Sequence, residues 1–175
     1  MAHPEQREFF ERLKFKWPEW FTGVSVLEVG SLDINGSVRD FFDATRYVGV
    51  DLEAGPGVDL IGRGESLQFL SREFDVAVSA ECFEHNPNWS DTFFNMCRIA
   101  SKVVIFTCAT TGRPEHGTSK AHPGASPFTP GDYYRNLVEA DFDQRRMPLG
   151  LWFSEYGFAV NESSCDLYFW GLLWP

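Results

Sequence analysis

Positive charge is scarce in this sequence. Fifteen lysines and arginines stand against 25 aspartates and glutamates, a formal net charge of −10 at pH 7. A surface of that sign repels phosphate backbones, which argues against general nucleic-acid binding. The basic pairs Lys14/Lys16 and Arg145/Arg146 are too short to reverse this and read as solvated surface. Long apolar runs are missing too. The most apolar stretch, Leu167 to Pro175, is far shorter than the roughly 20 residues a membrane-spanning helix needs. The N-terminal segment MAHPEQREFFERLK is charged throughout, unlike a signal peptide, so a cytoplasmic, membrane-free protein is expected. The four cysteines include no CxxC pair, which excludes a zinc knuckle or a thioredoxin-like motif and leaves reduced, buried thiols. No internal repeat is present. Aromatic residues, by contrast, are abundant, with 17 Phe and 6 Trp. Core packing accounts for them more simply than a base-stacking surface does. A chain of 175 residues fits one domain and hides roughly 70% of its unfolded surface.

The hydrophobic pattern alternates strands with helices. Residues 4–16 place Phe9, Phe10 and Leu13 at helical spacing behind Pro4, within an N-terminal segment (1–22) expected to act as a helical lid. Short apolar runs predict strands at 24–29, 47–51, 58–61, 74–79 and 102–107. Two further strands, 156–160 and 166–172, flank a polar hairpin connection. Helices are expected from about Ser37 through Phe42, near 65–73, from Asn88 or Ser90 to Ala100, and over 132–140. This order implies an α/β three-layer sandwich of Rossmann type: a mostly parallel seven-stranded sheet ending in an antiparallel hairpin. Ligands of such sheets lie beyond the carboxyl ends of the strands, where the strand order reverses.

Those strand ends carry the informative residues. Glu28-Val29-Gly30-Ser31-Leu32-Asp33-Ile34-Asn35-Gly36 follows the pattern ExGxxxxxG at the end of the first strand. A glycine there lets another group approach the backbone, and a following helix N-terminus would offer free N–H donors. Asp51 ends the second strand 21 residues after Gly30, placed to accept hydrogen bonds from ribose hydroxyls. A dinucleotide site would need G-x-G-x-x-G, but Glu28 and Asp33 occupy the outer glycine positions, so an NAD-linked enzyme is disfavoured.

The segments VLEVGSLDINGSVRDFF, YVGVDLEAGPGVDLI, FDVAVSAECFEH and KVVIFTCAT together resemble the successive motifs of class I S-adenosylmethionine-dependent methyltransferases, in particular the type 11 group. The resemblance implies S-adenosylmethionine as cofactor. It places Glu28, Gly30 and Ser31 at the methionine end, counts Asn35 and Gly36 of the same loop among the cofactor contacts, and puts Asp51 on the ribose, Leu52 against the adenine, and Ser79, Ala80 and Glu81 beneath the cofactor. One position departs from the pattern: Gly62-Arg63-Gly64 stands where the family often carries Gly-Asp-Ala, so Glu65 or a backbone carbonyl would have to meet the adenine amino group.

Methyl transfer from a sulfonium needs alignment and exclusion of water, and a base only when the acceptor must lose a proton. His85, just past the fourth strand, is the candidate base, with a structural turn as the plainer reading. The spacing Glu81-x-x-Glu84-His85 is similar to the metal-binding segment of two O-methyltransferase groups, those of ubiquinone synthesis and of small-RNA 3′ ends. That likeness implies a magnesium-like divalent ion on Glu81, Glu84 and His85, with His116 or His122 as a further ligand. The loop 109–131, rich in Gly, Pro, Thr, Ser and His, is the expected acceptor-binding segment. Arg113, His116, Tyr133 and Tyr134 are its candidate acceptor contacts, and His116 is a second candidate base. The functional expectation is methyl transfer to a small-molecule or glycan-like acceptor, oxygen before nitrogen. The alternative is a non-catalytic S-adenosylmethionine-binding or scaffold protein of the same fold. Oligomeric state is not legible.

Overall fold

The computed structural model describes residues 4–143 and 148–175; the Arg145/Arg146 pair lies outside the described residues. Seven strands form one sheet: β1 (Thr22–Val29), β2 (Asp43–Asp51), β3 (Leu60–Ile61), β4 (Phe74–Ala80), β5 (Ala100–Ala109), β6 (Phe153–Asn161) and β7 (Asp166–Leu173). Their order is β3-β2-β1-β4-β5-β7-β6. The first five strands pair in parallel, and β7 runs antiparallel between β5 and β6. The order reverses between β1 and β4, as expected for a doubly wound sheet with a terminal hairpin.

The alternation of side chains along the strands builds two cores. Val24 and Val26 of β1, Val76 and Val78 of β4, and Val103 and Ile105 of β5 face helix α1 (Pro4–Lys16), which contributes Phe9, Phe10 and Leu13. Leu27, Val29, Val104, Phe106 and Phe169 face helix α2 (Trp89–Ile99), which contributes Trp89, Phe93, Met96 and Cys97. The phenylalanines concentrate on the α2 side: Phe106 stacks on Phe142 at 4.4 Å and on Phe169 at 4.8 Å. The aromatic excess is therefore largely core material. Two four-residue helices, α3 (Glu139–Phe142) and α4 (Leu149–Trp152), complete the α2 side. Among the described residues no helix is long and apolar enough to cross a membrane.

Three expected helices are absent, for reasons of length and tethering. The chain between β1 and β2 holds only Gly30–Phe42, and the register sets Thr22 beside Asp43, so this connection must travel back along all of β1. Eight strand residues cover about 26 Å. A helix rising 1.5 Å per residue would need about 17 residues for that distance. The segment is therefore a bend with one 3-10 turn at Arg39–Phe41. The equally short link from β3 to β4 likewise forms only a 3-10 turn at Gly64–Ser66. Over 132–140, the Arg135 N–H donates to the Glu84 carbonyl and the Leu137 N–H to the Ala109 carbonyl, holding the chain extended against the end of β5 until α3 begins.

Candidate functional site

A cleft of about 620 Å³ opens at the carboxyl ends of β1, β2 and β4. Its inner wall carries Gly30 and Leu32 after β1 and Asp51 and Leu52 at the end of β2. Cys82, His85 and Asn86 follow from the β4 end, and Gly62–Glu65 from the link after β3. Ser126–Pro130, from the long loop, forms the outer wall.

Gly30 has φ +84°, and a Cβ there would sit 2.5 Å from the Cys82 Cβ. Close approach of the β4 end thus requires this glycine, quite apart from any ligand. The N–H groups of Gly30 and Ser31 both donate to the Val50 carbonyl, at 2.9 and 3.1 Å. The loop consequently offers a ligand its shape rather than these two donors, and no helix N-terminus follows to supply others. Asp51 organises the same wall. Its Oδ2 accepts from the Leu32 N–H at 3.0 Å and its Oδ1 from the Leu52 N–H at 2.7 Å. A carboxylate accepts about four hydrogen bonds, so Asp51 keeps capacity toward the cleft.

The structure does not bring every expected cofactor residue to this cleft. Gly30, Asp51 and Leu52 line it, whereas Glu28, Ser31, Asn35, Gly36, Ser79, Ala80 and Glu81 do not. Glu28 points to the α1 side, where the Tyr47 hydroxyl donates to its Oε2 at 2.9 Å. Burial pushes the Glu28 carboxyl up to about 7, against the lowering hydrogen bond from Tyr47. The Ser79 hydroxyl donates to the Val29 carbonyl at 2.8 Å, tying β4 to β1. Glu81, at φ +52°, turns toward Gln6 of α1, whose Nε2 lies 3.5 Å from its Oε1. Gly36 closes a turn by donating its N–H to Asp33 Oδ1 at 2.7 Å. Arg63 lines the cleft and is exposed; beside it, Glu65 accepts from the Asn88 amide at 2.9 Å. No α1 residue lines the cleft, because the apolar face of that helix is buried on the sheet.

The loop after β5 returns to the β4 end. Ser119 bonds to Asp132 through its N–H, and Thr118 pairs with Ala121. This folding sets His116 against His85, with ring centroids 4.9 Å apart, and Tyr134 within 5.5 Å of both. Glu84, His85 and His116 are all buried. Burial pushes the Glu84 carboxyl well above the usual carboxylate range, reinforced by the Glu81 charge. Burial also lowers His85, to about 3, and lowers His116. A histidine so reluctant to take a proton is a weak general base at neutral pH.

Arg113 does not reach into the cleft. Its guanidinium donates to Asp166 Oδ1 at 3.1 Å and to the Ser164 carbonyl at 2.5 Å, pinning the loop to β7. Tyr133 packs against the α2 core, and the Tyr134 hydroxyl donates to the Pro114 carbonyl at 3.2 Å. Residues not singled out from the sequence also line the cleft, among them Cys82, Asn86, Ile34 and Ser126–Pro130. Cys82 lies within the expected Glu81–His85 segment, and Asn86 directly follows it. The 126–130 wall carries no local signal beyond belonging to the long loop.

No family model and no curated protein matches the chain. Solved structures do. Magnesium protoporphyrin IX methyltransferase from Synechocystis, with bound S-adenosylhomocysteine, is 12% identical with a TM-score of 0.61, over 96% of this chain and 81% of that one. A SAM-dependent methyltransferase from Thermotoga maritima is 15% identical with a TM-score of 0.57, over 95% and 99%. The CurJ carbon methyltransferase is 15% identical with a TM-score of 0.59, over 94% of this chain and 52% of that one. At these identities the likeness is one of fold: the chain has the Rossmann-like fold of class I methyltransferases.

Proposed function

We propose that this protein is an S-adenosylmethionine-dependent methyltransferase acting on a hydroxyl oxygen of a small-molecule or glycan-like acceptor. The observation that carries the proposal is the cleft at the reversal of strand order, with the Asp51 carboxylate on one wall and His85 on the other. The residues present fit the cofactor at its nucleoside end. Asp51 has the lone pairs to accept from two ribose hydroxyls, and Leu52 offers an apolar face for the adenine. Gly62–Glu65 supplies backbone carbonyls and the Glu65 carboxylate where the adenine amino group would need an acceptor.

Bound S-adenosylmethionine supplies a methyl group already activated by its sulfonium. The protein's contribution is then alignment and dryness. Ser126–Pro130 covers the outer side of the cleft and would shield a bound cofactor from water. The buried Glu84–His85–His116 group lies at the edge of the cleft, and we assign it to the acceptor oxygen. Its neutral, buried imidazoles carry unpartnered nitrogens that can accept from an acceptor hydroxyl and take its proton as the oxygen gains the methyl group, since even a weak base deprotonates a methylated oxonium; on that basis we infer oxygen rather than nitrogen.

Calorimetric titration with S-adenosylmethionine and S-adenosylhomocysteine tests the proposal. Binding of both with one site per chain is expected; no binding of either at millimolar concentration would sink it. A second reading, a non-catalytic cofactor-binding protein, is favoured by the commitment of the Gly30 and Ser31 N–H groups to Val50. Transfer of labelled methyl to any component of a pooled metabolite extract would exclude it.

A further inference from the structure

The loop after β5 is the expected acceptor-binding segment, yet its residues Ser126–Pro130 form the outer wall of the cleft that carries Asp51. Local chemistry builds a fixed turn there. The Thr129 N–H and hydroxyl both donate to the Ser126 carbonyl, at 3.3 and 3.0 Å, and the hydroxyls of Ser126 and Thr129 lie 2.8 Å apart. Pro127 follows Ser126 with its φ set by the ring, which suits the second position of a four-residue turn. Phe128 takes the third position, at the tip.

That ring has no role in holding the fold together. It is 41% exposed and belongs to neither core. No other phenylalanine, tyrosine or tryptophan among the described residues lines the cleft. Leu52 shares with Phe128 both the cleft and its outward continuation past Arg63, so the two apolar side chains border one space. A ligand entering that space would take ring surface out of water. The turn itself is seated on the β4 end through one glycine. Gly117 has φ +66°, and a Cβ there would fall 2.6 Å from the Ser126 Cβ and 2.6 Å from His85 Cε1. Its bare backbone packs between the turn and the imidazole, which fixes the turn against the wall of the cleft.

We propose that Phe128 is a positioning residue for the nucleoside: its ring covers one face of the purine, and Leu52 covers the other. This rests on the methyltransferase reading above. The resemblance in the strand-end motifs supplies Leu52 as an adenine contact, and it gives the loop after β5 to the acceptor. The geometry gives Ser126–Thr129 to the cofactor instead. With the ribose on Asp51 at the inner wall, a base directed toward Leu52 and Gly62–Glu65 reaches the space that Leu52 and Phe128 share. A ring at the tip of the turn adds stacking to simple burial. Acceptor contacts then fall to the deeper part of the same loop, around His116.

Calorimetry with S-adenosylhomocysteine and no acceptor tests this. Phe128→Ala is expected to weaken binding about 5- to 150-fold, the scale on which a base–ring stack contributes. Phe128→Tyr keeps the ring and should bind within about threefold of the parent. The Tm of ligand-free Phe128→Ala should stay within about 2 °C of the parent, because the ring joins neither core. Isotope-filtered NMR of the parent complex should show NOEs from the adenine H2 or H8 proton to one phenylalanine ring, lost in Phe128→Leu. S-adenosylhomocysteine affinity unchanged in Phe128→Ala would overturn the proposal, as would an adenine without an NOE to any phenylalanine ring. The NOE is read on the parent chain, so a variant that loses stability leaves the test intact. A parent chain that binds neither S-adenosylmethionine nor S-adenosylhomocysteine would reject the methyltransferase reading together with this role. A parent that binds, with Phe128→Ala binding equally well, would reject the role of Phe128 alone.

Discussion

Glu28 shows how a single residue can belong to a motif and still work elsewhere. It begins the glycine-loop pattern, yet its carboxyl lies on the α1 side under the Tyr47 hydroxyl, with its pKa raised to about 7 from a usual value of 4.5. The folded chain therefore holds this proton more tightly than the unfolded chain. The contribution is fully present below pH 4.5 and is lost as pH rises through about 7, on the order of 3 kcal/mol in total. Glu28→Gln keeps an acceptor for Tyr47 and cannot ionise. Relative to the parent it should gain about that much stability between pH 4 and pH 8, measured by urea unfolding at each pH; parallel pH profiles would refute the assignment. Asp51 works in the cleft itself, holding the N–H groups of Leu32 and Leu52 while facing the cavity. Asp51→Ala is expected to weaken S-adenosylhomocysteine binding by at least ~10-fold, the scale of hydrogen bonds to a charged acceptor. Calorimetry would measure this, and an unchanged Kd would remove Asp51 from the ribose role.

At the scale of elements, the loop after β5 behaves as a braced wall rather than a free arm. Arg113 was the natural candidate for an acidic acceptor, but its side chain is tied to the fully buried Asp166 of β7. Arg113→Met should cost about 2–3 kcal/mol in unfolding free energy, because a buried carboxylate loses its cation. Chemical denaturation measures this directly; a loss of acceptor affinity at unchanged stability would restore Arg113 to the acceptor site. Helix α1 shows a similar reassignment. Its Phe9, Phe10 and Leu13 belong to one of the two cores, so the helix is a layer of the sandwich, and none of its residues lines the cleft.

Among the described residues, the molecule is a seven-stranded sheet with one substantial helix on each face and short, irregular connections on its β1–β2–β3 side. Those connections line the cleft together with the β4 end and Ser126–Pro130, and a ligand bridging them would stabilise the fold as a whole. Saturation with S-adenosylhomocysteine at about 100 times its Kd should add about 2.7 kcal/mol. For a chain of this size that corresponds to a rise in Tm of roughly 5–10 °C. Differential scanning calorimetry would show it, and an unmoved Tm at that concentration would count against a cleft that closes on the cofactor.

The sequence by itself determined the strand series, the two-sided core, the terminal hairpin and the pairing of Gly30 with Asp51. All of these rest on near-neighbour patterns: alternating apolar residues, a glycine ending one strand and an acid ending the next. Tertiary structure decided the rest. The register of Thr22 beside Asp43 turned an expected helix into a bend, because thirteen residues cannot return along β1 as a helix. The side of the sheet on which Glu28 and Glu81 lie depended on strand phase and on a partner from α1. The meeting of His116 with Glu84 and His85, across a helix, a strand and a short stretch of loop, depended on where the loop after β5 is tethered. Alternation is a local property of a chain and can be read along it, whereas the convergence of distant side chains is a property of the path between them.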